Sequence, residues 1–264
     1  MLVHIVADYG AGDLAFAEVA QALRLRLPDA EFVLTPVPPF ATLAAGFCVA
    51  QLARNAAPPG TIVYHNVAPR EDDPAVRAGN AGERLAYARL KTGVRVVGVA
   101  AGYTYSFLKD AAEELRWVDC AAEGSQFRSR DVFPPAAAAI ALGEAGILGK
   151  EIKPKEFPDL PPAAVAYFDG YGNIKTTIPG AEAAKLAGRD CRVRIGDVER
   201  PVVVGEGSFA VEPGQIAFAP GSSGWPLDDG GDHRWVELFL RGGNAWEEFG
   251  RPKSGTPIEF TKRK

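Results

Sequence analysis

Phe168-Asp169-Gly170-Tyr171-Gly172-Asn173-Ile174-Lys175-Thr176-Thr177-Ile178 reads as strand, tight turn, strand. Val165 and Phe168 lead in as strand residues, and a second β-prone run follows Asn173. Gly170 and Gly172 let the backbone turn tightly or approach a ligand closely. Asp169 supplies acceptors, and the Asn173 amide supplies both donors and acceptors. That set suits a small polar zwitterion. A hairpin turn with an Asx cap is the plainer alternative. The stretch also marks a change of texture, because strands and helices alternate before it and short β-prone runs follow it.

Upstream, Leu2–Ala7 reads as a buried strand and Leu14–Leu27 as an amphipathic helix closed by Pro28. Strand runs at Glu31–Leu34, Thr61–Tyr64 and Val94–Val99 follow, with helices at Leu43–Ala53, Leu108–Leu115 and Ala136–Leu142. This order predicts an α/β N-terminal domain with a mostly parallel sheet over residues 1–152. Residues 153–163, rich in Pro and Lys, read as a linker. Beyond it, Ala164–Phe168, Cys191–Ile195, Pro201–Val204, Gln215–Ala219 and Trp235–Leu240 predict an antiparallel β-barrel domain over residues 164–264. Pro226–Asp232 reads as a mobile polar loop.

The chain has 264 residues, is 47% hydrophobic and 23% charged, and carries a net charge of −4. This balance fits a globular protein and gives no pull toward nucleic acid or an anionic membrane. No apolar run is long enough to span a bilayer, and no signal peptide is recognisable. The three cysteines and three histidines show no metal-ligand spacing. Reduced thiols in a cytoplasmic protein, without a metal or cofactor, are expected.

Three further sites could carry chemistry. Asp8 follows the first strand, where a carboxylate can hold the vicinal hydroxyls of a ribose or cap the next helix. Asp13 is the more natural cap, which favours a ligand for Asp8. The run Gln126-Phe127-Arg128-Ser129-Arg130-Asp131 packs guanidiniums, a hydroxyl and a carboxylate before the prolines of a helix start. An Arg130–Asp131 network holding that loop is the alternative to catalysis. Ser222 and Ser223, between Gly221 and Gly224, could bond a nucleobase edge or form a β-turn. Asp8 and the Asp169–Asn173 pair stand where the lips of one cleft would be expected.

These pieces, in this order, resemble the S-adenosylmethionine hydroxide adenosyltransferases, in the superfamily of the fluorinating and chlorinating enzymes. Ala7-Asp8-Tyr9-Gly10 is similar to the family's opening strand end, and Phe127–Ala139 to its Phe-His-Gly-Arg-Asp block. Asp169–Ile178 resembles its Asp-x-Phe-Gly-Asn block. Ser222-Ser223-Gly224 and Gly243-Asn244-Ala245 resemble its closing elements. The resemblance implies a homotrimer that binds a nucleoside between subunits, with S-adenosylmethionine as substrate or ligand. It implies Asp8 on the ribose, Asp169 and Asn173 on the methionine end, and Ser222 and Ser223 near adenine. Phe127 and Ser129 would line the same pocket.

The chain departs from the family at its chemistry. Ala68 replaces the water-activating Asp, and Arg128 replaces the His. Arg70 or Arg77 is left as the source of a nearby guanidinium. Ser129 matches the fluorinating branch, which leaves Arg128 and Ser129 as catalytic candidates with an anion such as halide as nucleophile. The expectation is an S-adenosylmethionine- or adenosine-binding protein whose usual water activation is lost. Cleavage to adenosine and methionine, and a non-catalytic homologue, both stay open. Residues 226–233 could reshape the pocket.

Overall fold

The computed structural model describes residues 1–68, 82–121, 125–186 and 191–262. The chain forms two compact units, Met1–Asp159 and Leu160–Lys264. The division falls inside the stretch read as a linker. The first part of that stretch is tied into the N-terminal unit. Buried Lys109 donates to the Phe157 carbonyl (3.2 Å) and pairs with Asp159, and the Ser106 hydroxyl donates to the Pro158 carbonyl (2.7 Å).

Among the described residues, the N-terminal unit is built on a seven-stranded sheet. Its strands are β1 (Leu2–Ala7), β2 (Glu31–Pro36), β3 (Ile62–Asn66), β4 (Leu85–Leu90), β5 (Arg95–Val99), β6 (Ala112–Val118) and β7 (Leu148–Glu151), in the order β2-β1-β3-β5-β4-β6-β7. β1, β2, β3 and β5 run parallel. β4 turns back on β5 through Lys91–Gly93, and β6 and β7 continue antiparallel. The sheet is therefore mixed, not mostly parallel. The expected helix at Leu108–Leu115 is replaced by tight turns and then by β6. The alternation of buried Leu115 with more exposed Glu114 and Arg116 satisfies a ladder against β4 better than a helix.

Helices cover both faces of the parallel part. Phe16, Val19 and Leu23 of α1 (Leu14–Arg24) pack with Val3, Ile5, Ile62 and Tyr64 on one face. Asp13 caps α1 by accepting from the Ala15 N–H (2.8 Å). The short α3 (Arg128–Asp131) leads into α4 (Phe133–Ala141), whose alanines join the same core. The opposite face carries α2 (Thr42–Ala53), which is buried on nearly every side. Phe47 meets Phe107 edge to face (5.6 Å), and Tyr105 stacks on Phe157 (5.0 Å).

The C-terminal unit is a second seven-stranded sheet in the order β14-β10-β11-β12-β13-β9-β8. Its strands are β8 (Val165–Phe168), β9 (Ile174–Pro179), β10 (Cys191–Ile195), β11 (Val198–Val204), β12 (Ile216–Pro226), β13 (Asp232–Leu240) and β14 (Ile258–Lys262). All pairs are antiparallel except β11 with β12. The sheet curls toward a barrel. An Ala164–Pro257 bridge and the Val165 N–H to Thr256 carbonyl bond (2.9 Å) bring its first and last strands together. Val165, Ile174, Val193, Phe218, Val236 and Leu238 fill the interior. The loop expected over 226–232 is shorter, because Pro226 and Asp232 pair in the β12–β13 ladder and only 227–231 turn.

Candidate functional site

In the N-terminal unit, β1 has β2 on one side and β3 on the other. The chain reverses direction across the sheet between β1 and β3. Open α/β sheets bind ligands outside the carboxyl ends of strands at such a switch point. Asp8 and Tyr9 follow β1 there, and Asn66 ends β3.

The Asp8 carboxylate accepts backbone N–H groups from Phe40 (3.0 Å) and Ala68 (3.1 Å). It joins the loops after β1, β2 and β3 into one rim. The Tyr9 phenol donates to the Ser129 hydroxyl (2.6 Å), and the Tyr64 phenol donates to the Ser129 carbonyl (2.8 Å). Burial and the nearby Asp8 charge push the Tyr9 phenol up, against hydrogen bonds with Ser129 and Asn66. The Tyr9 ring packs edge to face on Phe127 (5.8 Å) and on Phe16 (5.1 Å). Asp8, Tyr9, Asn66, Phe127 and Ser129 thus converge at this edge.

The flanking Arg130–Asp131 network forms as the alternative reading had it. Arg130 bonds Asp131 (2.6 Å) and Glu18 (3.0 Å), Ser125 bonds Asp131, and the Phe127 N–H donates to Ser125. The Arg130 guanidinium and the Ser125 hydroxyl hold the Asp131 carboxyl down at about 2. The Arg128 guanidinium lies against Gly82, where a Cβ would fall 1.1 Å from it. Arg70 and Arg77 lie outside the described residues.

In the C-terminal unit, Asp169 and Asn173 form the turn between β8 and β9. Asp169 Oδ1 accepts the N–H groups of Tyr171 (3.0 Å) and Asn173 (3.0 Å). Asp169 Oδ2 accepts the Asn173 side-chain amide (3.0 Å) and meets Lys175 Nζ at 3.1 Å. Burial opposes the Asp169 charge, but these donors and the Lys175 ammonium outweigh it and hold the carboxyl below its usual range. Gly172 sits at φ +77° with its Cα facing Asn244, where a Cβ would lie 1.9 Å from the amide oxygen. Asn244 caps α5 (Ala245–Glu248), and the Trp246 N–H donates to the Gly172 carbonyl (2.9 Å). The Asn173 turn and the Gly243–Ala245 element are therefore neighbours.

The serines do not form a free turn. Ser222 and Ser223 lie inside β12, at a bulge between Pro220 and Gly224. Ser223 is buried, and its N–H (2.9 Å) and hydroxyl (2.6 Å) both donate to Glu237 Oε1. Glu237 is fully buried, and its Oε2 takes Lys175 Nζ at 2.5 Å. Glu237 and Lys175 are direct cross-strand partners on β13 and β9. One polar chain thus runs from Ser223 through Glu237 and Lys175 to Asp169 and Asn173. A Cβ at Gly221 would fall 2.0 Å from the Glu237 carboxyl carbon, so only glycine lets the bulge lie down on it.

The sequence reading missed Lys175, Glu237, Tyr64 and Asn66. Alternation puts Lys175 and Glu237 on the strand face away from Val236 and Leu238, which would ordinarily be solvent. The bulge that buries them comes from a distant segment. A charge in each of two predicted strands was the available signal.

Among the described residues, no group of three His, Cys, Asp or Glu side chains could hold a metal ion, and no helix is long and apolar enough to cross a membrane. No protein-family model matches the chain. No curated protein matches it either. Solved structures do. An uncharacterized conserved protein from Thermotoga maritima is similar at 20% identity and a TM-score of 0.75, covering 98% of this chain and 100% of that one. A conserved hypothetical protein from Thermus thermophilus is similar at 26% identity and a TM-score of 0.66, covering 98% and 99%. These likenesses establish a shared fold.

Proposed function

We propose that this chain binds an adenosyl ligand, adenosine or S-adenosylmethionine, and lacks the side chains that would activate water against it. The convergence of Asp8, Tyr9, Asn66 and Ser129 at the switch point carries this reading. A carboxylate, a phenol and an amide at that edge suit the vicinal hydroxyls of a ribose. The Phe127 and Tyr9 rings offer apolar surface for a purine.

The same edge argues against the usual hydrolysis. Ala68 donates its N–H to Asp8 at the position where the resembling enzymes have a water-activating Asp. A methyl group cannot orient or deprotonate water. Arg128 stands in place of the His, and a guanidinium does not act as a base.

Titration calorimetry with adenosine and with S-adenosylmethionine tests binding, and chromatography of the mixture tests cleavage. At least one ligand should bind with a Kd of about 1–100 μM, and no adenosine should be released from S-adenosylmethionine. Absence of heat from both ligands at about 1 mM would end the binding claim. Enzymatic release of adenosine would end the claim about water.

A further inference from the structure

We infer that β2 is a docking edge for a second copy of this chain, which lays its own β2 antiparallel against it across a two-fold axis at Val33. The inference is independent of the proposed function. β2 ends the order of the N-terminal sheet, so one side of it meets β1 and the other faces out. The Glu31 N–H donates to the Met1 carbonyl and the Val37 N–H to the Ala7 carbonyl, both at 2.9 Å. Backbone groups alternate in direction along a strand, so Glu31, Val33 and Thr35 turn theirs toward β1. Phe32, Leu34 and Pro36 turn theirs outward.

An outward row of N–H and C=O groups is a template for another strand, and proteins guard such edges. Among the described residues, the other sheet ends are guarded. β7 is four residues long, carries exposed Lys150 and Glu151, and slips register against β6. The outer strands of the C-terminal sheet are drawn together at the Ala164–Pro257 bridge. β2 has no such device. It runs six residues in unbroken register with β1, without a lysine or a bulge. Val33 and Leu34, on opposite faces, are 44% and 45% exposed. A second copy is the partner that fits, because the edge is complementary to itself. Opposed residues in an antiparallel pair share a face, so the axis must pass through a residue position. Centred on Val33, the register sets Phe32 against Leu34 and Leu34 against Phe32, and every outward N–H and C=O of these residues finds a partner. Pro36, which has no N–H, falls beyond the last pair. Centred on Leu34, the register would instead require Pro36 to donate to Phe32. In the Val33 register Glu31 opposes Thr35, so no like charges meet, and Val33 packs on Val33. So short an edge makes a small interface, and the dimer is a weak one.

Sedimentation of the full chain at about 500 μM, high enough to populate a weak dimer, reads the association. The wild-type particle should have twice the mass of Val33→Lys, which sets two ammoniums face to face. It should also have twice the mass of Leu34→Pro, which deletes an outward N–H and leaves the bonds to β1 in place. Circular dichroism checks that both variants are folded. The register has its own test. Val33 and its copy form a non-hydrogen-bonded pair with Cα atoms about 4.5 Å apart, within reach of a disulfide. Val33→Cys should therefore give a covalent dimer on mild oxidation. Glu31→Cys, whose copy lies at the far end of the ladder, should give no more than the wild type with its native Cys48, Cys120 and Cys191. Equal masses for the wild type and the folded variants overturn the inference, and this is also the result if the edge serves an extended segment of another protein. Cross-linking of Val33→Cys no greater than that of Glu31→Cys overturns it as well. The cysteine pair decides alone if neither sedimentation variant folds.

Discussion

His65 should make the N-terminal unit lose stability in acid. Its imidazole is fully buried on β3, edge to face with Tyr105 (5.1 Å) and pressed against Gly98. Neither ring nitrogen has a hydrogen-bond partner among the described residues. Burial lowers its pKa from 6.5 to about 3. The unfolded chain takes up that proton near pH 6.5, and the folded protein takes it up only near pH 3. Between those values the unfolded state binds more protons, so stability falls as the pH falls. At the full proton difference the slope is about 1.4 kcal/mol per pH unit. Acidifying from pH 6.5 to pH 4.5 should therefore remove about 2–3 kcal/mol through this residue. His65→Leu keeps a similar volume and has no proton to gain. It should flatten the acid dependence by that amount. It should also stabilise the unit at pH 7 by about 1–3 kcal/mol, because two orphaned nitrogens leave the interior. Amide hydrogen exchange along β3 and β5, corrected for intrinsic rates, reads this unit directly. The variant shares every carboxylate with the wild type, and also His4, whose pKa burial lowers as well. Parallel pH profiles for the two proteins would therefore refute the reasoning.

The remaining predictions concern the two polar clusters. Lys175→Met should cost the C-terminal unit about 3–5 kcal/mol by stranding Glu237, and Lys175→Met/Glu237→Gln should recover more than half of it. Urea unfolding followed by the fluorescence of Trp225, Trp235 and Trp246, all in this unit, measures both. Gly221→Ala should cost about 1–3 kcal/mol in the same assay, because its methyl meets the Glu237 carboxyl; an unchanged midpoint would show that the bulge does not rest there. Tyr9→Phe should cost about 0.5–1.5 kcal/mol through the lost bond to Ser129 and weaken adenosine binding in calorimetry. Equal affinity in that variant would remove Tyr9 from the site.

Much of the fold was legible in local pattern. The strand runs from Leu2 to Ala7 and from Cys191 to Ile195 coincide with β1 and β10, because alternating or continuous apolar residues between turn signals have few other solutions. Asp13 declared the start of α1, and Pro134 and Pro135 declared that of α4. What failed was pairing. Leu85–Leu90 followed by Lys91-Thr92-Gly93 is a hairpin signal that went unread, and it is β4 that makes the sheet mixed. The site was legible to the same extent. Within each unit, residues singled out for ligand chemistry are joined to neighbours, Ser129 in one and Ser223 and Asp169 in the other, through partners such as Tyr64 and Glu237 whose roles depend on contacts distant in sequence. Asp169 shows the difference. Its turn could be read from the Gly and Asn around it, whereas its fourth acceptor contact comes from Lys175, an inward-turned charge that the strand pattern assigns to solvent.

Under the proposed function, the two departures at the chemistry belong together. Ala68 removes the carboxylate that would ready water for attack at the ribose, and Arg128 puts a guanidinium where an imidazole would stand. Cleavage of a sulfonium ligand needs a positioned nucleophile. Loss of either alone would leave a weakened water site. Loss of both leaves a nucleoside site that readies no water. The Tyr9–Ser129 bond and the Asp8-tethered loops stay in place, since those features serve the nucleoside. On this view Ser129 holds the phenol of Tyr9 against the rim and has no nucleophile to position.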